Sequence, residues 1–308
     1  MADARTIWFD GRFVKHADAR IHVLSHALHY GTSVFEGIRA YETPDGPAVF
    51  RLRDHVARLF FSASAFGMKI PHTKREIERA ILKTVALNKL KECYIRPVAF
   101  YGEGKMGLVP TGADVRVAVA AWPWGAYLGE HAMISAAISP YIRFHPRSVV
   151  PGAKIGGYYA TSALAALDAQ KRGFDESILL DHEGNVAEGP GENIFIVRRG
   201  RLITPNSPSI LPGITRDSIM TIARDLHIPV AIKKISRREL ISADEAFFTG
   251  TAAEVAAIGK IDGRRVGGFR RGVHADTPGP ITAKIREHYF DATHGQLPKY
   301  RKWLSYVR

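Results

Sequence analysis

One short stretch limits the folds open to this chain. Trp122-Pro-Trp-Gly-Ala-Tyr-Leu-Gly129 crowds a proline, two glycines and three aromatics into eight residues. Proline removes a backbone donor and glycine frees the backbone, so the stretch breaks whatever regular element reaches it. On both sides, apolar runs of strand length alternate with segments whose apolar residues recur every three or four positions. The 308 residues suffice for two domains of about 100–200 residues each. The expected organisation is a small α/β domain over residues 1–121, a connection over 122–132 and a larger domain over 133–308. The fold class is α/β, with helices and sheets mixed.

In the first part, residues 7–14 read as a hairpin turning at Asp10-Gly11. Residues 55–66 are helical, with Val56, Leu59, Phe60 and Ala63 on one face. Residues 74–89 form a second helix with Ile77, Ile81 and Val85 inward, and strands follow at 93–100 and 115–121. In the second part, turns at Asp181-His-Glu-Gly184 and Arg199-Gly200 separate β-rich segments. Helices are expected near 161–172, 216–227, 237–242 and 280–289.

Composition excludes several classes of function. Hydrophobic content of 46% and charged content of 24% are those of an ordinary globular protein. No apolar run approaches the roughly 20 residues of a membrane helix, and the N-terminus meets a charge before an apolar signal core can form. The single cysteine, Cys93, precludes an internal disulfide and a cysteine-based zinc site, so no metal is expected and the setting is read as cytoplasmic. The net charge of +13 raises nucleic-acid binding, but the basic residues fall in short groups without interleaved aromatics. They read as a solvated surface that draws in anionic metabolites, with no nucleic-acid partner.

Two segments carry the first chemical signal. Leu211-Pro-Gly-Ile-Thr-Arg-Asp217 places Thr215 as the N-cap of a helix running toward Leu226. Thr249-Gly-Thr-Ala-Ala-Glu-Val-Ala256 sets Thr251 and Glu254 in capping-box spacing, which marks a second helix start. Helix N-termini present unpaired amides and partial positive charge, so they suit phosphate or carboxylate; two ordinary capped helices would read the same way. Lys154 lies among small residues that permit close approach, as in Lys154-Ile-Gly-Gly-Tyr-Tyr159. A desolvated lysine can form a Schiff base, although an isolated lysine is more often a surface charge. Glu188-Gly-Pro-Gly-Glu-Asn193 adds a carboxylate on a glycine-rich turn, able to keep a pyridinium nitrogen protonated. Lysine, carboxylate and two anion sites together suit pyridoxal phosphate.

These four segments resemble the class IV, fold-type IV aminotransferases. Three more in the first half of the chain narrow the resemblance to branched-chain amino acid aminotransferases: Ser25-His-Ala-Leu-His-Tyr-Gly-Thr-Ser-Val-Phe-Glu-Gly-Ile-Arg39, Tyr94-Ile-Arg-Pro97 and Pro123-Trp-Gly-Ala-Tyr-Leu128. The resemblance runs from about residue 7 to residue 290, and makes the larger domain the cofactor-binding one. It implies a two-domain enzyme that exchanges amino groups between L-leucine, L-isoleucine or L-valine and 2-oxoglutarate by a ping-pong mechanism. D-amino-acid aminotransferases, (R)-selective amine transaminases and aminodeoxychorismate lyases share the fold.

The resemblance also implies roles. Lys154 forms the Schiff base and shuttles the proton, Glu188 pairs with the pyridine nitrogen, and Tyr159 bonds the ring hydroxyl. Arg58 holds the phosphate with the amides of Ile214, Thr215 and Thr251, near Leu211. Tyr30, Phe35, Tyr127 and Trp124 wall the substrate side chain beside Arg39, while Tyr94 and Arg96 meet a distal carboxylate. The backbone of Thr251, Ala252 and Ala253 takes the α-carboxylate. Met106 and Leu108 match a loop lent to a neighbouring subunit, which implies a homodimer at least and leaves a hexamer, a trimer of dimers, open.

Overall fold

In the computed structural model, which describes residues 5–125, 133–267 and 277–308, the chain divides into two units. The first comprises Met1–Gly125, Ala153–Tyr158 and Asp291–Arg308, and the second Ala126–Gly152 and Tyr159–Phe290. A cut at the Trp122–Gly129 stretch thus describes the chain only in part. The segment around Lys154 and the C-terminal residues group with the first unit.

Asp10 and Gly11 take φ of 46° and 90°, the two positive values that match a two-residue hairpin turn to the twist of its strands. They join β1 (Thr6–Phe9) and β2 (Arg12–Lys15), with Phe9 opposite Arg12. The other strands of this unit are β3 (Ser33–Phe35), β4 (Ile38–Tyr41), β5 (Ala48–Phe50), β6 (Cys93–Tyr101), β7 (Val115–Trp122) and the C-terminal strand Leu304–Tyr306. All pairs are antiparallel, in the order C-terminal strand, β5, β4, β6, β7, β1, β2, with β3 also on β6. A short helix α1 (His26–Tyr30) precedes β3. Two longer ones, α2 (Leu52–Ala65) and α3 (Lys74–Leu87), lie between β5 and β6. Of their expected inward residues, Val56, Leu59 and Ala63 of α2 are buried with Ile77, Ile81 and Val85 of α3 against Ile38, Ile95 and Val119 of the sheet, while Phe60 is only partly buried at the edge of this core. Thr73 and Glu76 close a capping box at the start of α3, which fixes where the helix begins.

The second unit is mixed. Its strands are β8 (Ile134–Ile142), β9 (Glu176–Leu180), β10 (Val186–Glu188), β11 (Asn193–Arg198), β12 (Arg201–Pro205), β13 (Val230–Lys233), β14 (Glu245–Gly250), β15 (Glu254–Ile261) and β16 (Arg264–Arg265). The order is β10, β9, β8, β15, β14, β11, β12, β13, with β16 on β15. Parallel pairs occur at β8 with β9, β8 with β15 and β12 with β13. Helix α4 (Tyr159–Lys171) connects β8 to β9, and α5 (Ile214–Asp225) connects β12 to β13, as parallel neighbours require. The expected helix near 237–242 is α6 (Arg237–Ile241), and the last runs over Pro280–Thr293. Among the described residues no helix is long and apolar enough to cross a membrane.

One expected element does not form. Thr251 and Glu254 do not open a helix: β14 and β15 form an antiparallel hairpin, Gly250 pairs with Glu254, and Thr251, Ala252 and Ala253 are its turn. Val255, Ala257 and Ile258 are buried in the sheet, so strand burial outweighs a threonine–glutamate spacing that is merely compatible with a cap. Glu254 sits at φ 54°, the left-handed residue that closes such a turn.

Glu176 on β9 is 4% exposed, and the Ser177 amide donates to its Oε1 at 2.8 Å. Burial, reinforced by Asp175 and opposed by that amide, pushes its carboxyl up to about 7. A raised carboxyl favours the folded state in acid, and its contribution is lost as pH rises from about 4.5 through about 7. Glu176→Gln should therefore stabilise the protein at pH 8, by up to about 3 kcal/mol, and leave it nearly unchanged at pH 4.5. Denaturant melts at the two pH values measure this; equal effects at both would refute it.

Candidate active site

In the first unit the backbone around Lys154 is held on both sides. Its amide donates to Ser62 Oγ at 2.8 Å, its carbonyl accepts from the Phe35 amide at 3.2 Å, and Val34 bridges to Ile155. Ala153 and Ile155 are buried in the core. The neighbouring glycines serve this docking: a Cβ on Gly156 would meet Ser33 Oγ at 2.2 Å, and one on Gly31 would meet Gly157 Cα at 2.7 Å. The close approach that these small residues permit is used here by the chain itself. Lys154 Nζ lies 4.7 Å from the centre of the Phe35 ring.

Arg96, on β6, also stands over Phe35, at 4.7 Å, and over Tyr94, at 5.3 Å, and donates to the Tyr94 hydroxyl at 3.1 Å. Tyr94 packs on Trp124 with ring centres 5.1 Å apart. A Cβ on Gly37 would lie 2.0 Å from the Tyr94 oxygen, so only glycine admits the phenol there. Arg39, buried on β4, donates to the Trp124 carbonyl at 3.5 Å. These residues combine a cation with aromatic walls, an environment for an apolar side chain that also answers a carboxylate. Tyr127 lies outside the described residues.

Arg58 is fixed by a carboxylate that sequence reading did not single out. Its Nε and Nη2 donate to the two oxygens of Glu36 at 2.7 and 2.9 Å, and His55 Nδ1 lies 2.8 Å from the second oxygen. Glu36 is 1% exposed. Burial alone would raise its carboxyl, but Arg58 and His55 outweigh burial and hold it far below the usual carboxylate range. Burial pushes His55 below its ordinary value against the pull of Glu36, so the imidazole is a neutral donor at neutral pH. His26, wholly buried, bonds Thr32 through Nδ1 and the Gly107 carbonyl through Nε2, at 2.8 and 2.7 Å. It thereby ties down the loop that exposes Met106 and Leu108, while Tyr30 at the end of α1 is 40% exposed.

The second unit holds the other groups. Glu188 ends β10, 4% exposed. Arg143 Nη2 lies 2.9 Å from its Oε1, Asn193 Nδ2 donates to Oε2 at 2.9 Å, and the Leu211 amide donates at 3.1 Å. Asn193 also donates to the Leu211 carbonyl at 2.9 Å, tying the carboxylate to the loop that enters α5. That helix begins one residue before the expected cap: Gly213 is the N-cap, without a side-chain bond, and Thr215 lies inside the first turn. A Cβ on residue 213 would fall 1.8 Å from Asn193 Oδ1, which excludes a capping side chain. Ile214 and Thr215 are buried, and the first amides of a helix have no intrahelical acceptor. Arg216 secures this end through Thr204 and the Pro205 carbonyl, at 2.9 and 3.0 Å. In the turn between β14 and β15, the Thr251, Ala252 and Ala253 amides donate no hydrogen bond among the described residues. Tyr159 opens α4. Buried amides at a helix start and a second set at a turn fit anions. A carboxylate held by three donors fits a basic ring nitrogen.

The class IV aminotransferase family matches residues 33–261. The branched-chain-amino-acid aminotransferase of Pseudomonas aeruginosa is 46% identical over 305 residues, covering 98% of this chain and 97% of that relative. The chain belongs to the class IV aminotransferases, in their branched-chain-amino-acid group. Two solved structures of the T.th. branched-chain amino acid aminotransferase cover all of both chains. One, complexed with N-(5'-phosphopyridoxyl)-L-glutamate, is 45% identical with a TM-score of 0.93. The other, with pyridoxamine 5'-phosphate, is 46% identical with a TM-score of 0.95.

Sequence reading of this aminotransferase missed Glu36, His55, Arg143, Asn193 and His26 as supports. Glu36, Asn193 and His26 stand inside quoted motifs, and His55 lies three residues before Arg58 on α2, so helical spacing could have raised it. Arg143 carries no local signal. The close approach at Gly213 makes it a sensitive position: Gly213→Ala should displace Asn193 and cost about 1–3 kcal/mol, read as a lowered denaturant midpoint. A midpoint equal to the parent's would show that Asn193 moves aside freely.

Proposed function

We propose that this enzyme transfers the amino group of L-leucine, L-isoleucine or L-valine to 2-oxoglutarate, giving branched-chain 2-oxo acids and L-glutamate in a ping-pong cycle. The observation that carries it is Lys154, fixed through its backbone with its amine beside Phe35 and Phe35 in turn beside Arg96. The anion-fitting amides and the carboxylate Glu188 suit pyridoxal phosphate as cofactor, which when bound supplies the electron sink for chemistry at the amino acid's α-carbon. Lys154 holds the cofactor aldehyde through its amine and afterwards carries the proton between the α-carbon and the cofactor. Glu188, held by Arg143, Asn193 and Leu211, keeps the proton on the pyridine nitrogen. Tyr159 donates toward the ring hydroxyl.

Arg58 with the amides of Ile214, Thr215 and Thr251 takes the phosphate, a guanidinium being matched to its oxygens. Leu211 contributes through its amide on Glu188. Thr251, Ala252 and Ala253 take the substrate α-carboxylate. Phe35, Tyr30, Tyr127 and Trp124 exclude water from the side chain beside Arg39. Tyr94 and Arg96 answer the second carboxylate that only glutamate and 2-oxoglutarate bring. The exposure of Met106, Leu108 and Val109, at 42, 82 and 72%, supports a homodimer in which this loop is covered, with hexamer formation open, in a cytoplasmic setting.

Lys154→Ala should abolish turnover, and borohydride should then fix no cofactor to the chain. Run alongside it, a half-reaction panel of L-leucine, L-glutamate, D-alanine and (R)-1-phenylethylamine should give reaction with the first two. Native turnover in the variant, or reaction confined to the last two, would overturn the function proposed. Arg96→Ala should lower kcat/KM for 2-oxoglutarate by about 10²-fold or more, the scale of losing a buried charge pair, with far less effect on leucine. Equal losses for both substrates would remove Arg96 from carboxylate recognition.

A further inference from the structure

Glu36 is the least expected charge in the first unit. It directly follows β3, its amide donates to the Pro97 carbonyl at 2.9 Å, and its carboxylate is 1% exposed. Both donors come from one turn of α2, His55 and Arg58 at i and i+3, a spacing that puts two side chains on one helix face. Arg58 meets the carboxylate side-on through Nε and Nη2, one bond to each oxygen, at 2.7 and 2.9 Å. Two parallel bonds to a planar guanidinium fix its plane as well as its position. His55, 2% exposed, fastens Oε2 at 2.8 Å and leaves the carboxylate little freedom to rotate.

For anion binding this arrangement carries opposing effects. A carboxylate bonded to an arginine cancels part of the field that the arginine offers an anion, and so weakens attraction. The same carboxylate removes the rotamer freedom that an arginine otherwise loses on binding, and orients the fork. If charge alone mattered, the site would bind phosphate better without Glu36. We propose that Glu36, braced by His55, is the positioning residue for Arg58, and that orientation of the guanidinium outweighs the charge it cancels in gripping the cofactor phosphate. This rests on the assignment of pyridoxal phosphate as cofactor and of Arg58 as its phosphate arginine.

The test compares binding of pyridoxal phosphate and of unphosphorylated pyridoxal to the full chain, followed by the visible absorbance of the lysine-bound aldehyde. Both ligands engage Lys154 and the ring contacts, and only one engages Arg58. Glu36→Gln and Glu36→Asp should each weaken pyridoxal phosphate roughly tenfold, the scale of one arginine's ordering, while pyridoxal changes by less than about twofold. Glu36→Asp keeps the charge and spares Arg58 an uncompensated burial, so it decides the matter if Glu36→Gln does not accumulate as folded protein. Pyridoxal phosphate bound equally or more tightly by the variants would overturn the proposal. Equal losses for both ligands would reduce Glu36 to a structural ion pair and overturn it too. A wild-type chain that takes up neither aldehyde would instead overturn the cofactor assignment on which the proposal stands.

Discussion

Each unit of this protein buries a carboxylate and must satisfy it. Glu36 in the first and Glu188 in the second are 1% and 4% exposed. An ionised carboxylate so placed costs several kcal/mol unless paired and hydrogen-bonded. The two solutions are chemically alike: an arginine on one oxygen or both, and a neutral side-chain donor beside it, His55 in one case and Asn193 in the other. Each solution pins separate elements to one another. Glu36 ties the end of β3 to α2, and Glu188 ties the end of β10 to the residue after β8, to β11 and to the loop that enters α5. Apolar packing fixes the sheets and the two long helices, but it is non-directional. The orientations of Arg58 and of the α5 N-terminus come instead from polar groups that cannot remain unpaired.

Lys154 is positioned differently, and the contrast is informative. Its neighbours Ala153 and Ile155 lie in the apolar core of the first unit, and its amide and carbonyl are bonded to Ser62 and Phe35. The backbone is therefore fixed, and the amine stands beside the Phe35 ring. On the proposed function this lysine holds an aldehyde, releases it and then moves a proton, all from an anchored backbone. On the same proposal Glu188 only holds a proton on a ring nitrogen, and Arg143, Asn193 and the Leu211 amide restrain it.

Periodicity sufficed for elements whose burial is one-sided. Spacing alone assigns Ile77, Ile81 and Val85 inward, and residue type alone assigns Asp10-Gly11 a turn, because spacing and positive φ are local properties. Thr251 and Glu254 show where locality fails. Their spacing is compatible with a capped helix, but β15 lies in a sheet between its hairpin partner β14 and the sequence-distant β8, where Ile258 faces Ile134. The site divides along the same line. Lys154, Glu188 and Arg58 stand in recognisable motifs, whereas the pairing of Arg58 with Glu36 spans 22 positions and that of Arg143 with Glu188 joins the residue after β8 to the end of β10. Such pairs exist only once the chain has folded.

The exchange of a helix start for a hairpin turn at Thr251 leaves the proposed chemistry intact. Anion binding by main-chain amides needs several N–H groups pointing one way from a stretch without bulky side chains, and a tight turn supplies that as readily as a helix terminus. What changes is the source of rigidity. At Ile214 and Thr215 the amides are held by a helix whose first turn is locked by Arg216 and by the Gly213–Asn193 contact. At Thr251, Ala252 and Ala253 they are held by the strand pairing on either side. Amides carry no titratable proton, so neither site loses its donors over the pH range in which histidines change charge. With 43 lysines and arginines the chain has ample surface charge to attract anionic substrates from a distance. On the proposed function, the groups that hold the α-carboxylate are nevertheless uncharged ones, which favours shape and direction over net charge in choosing what stays bound.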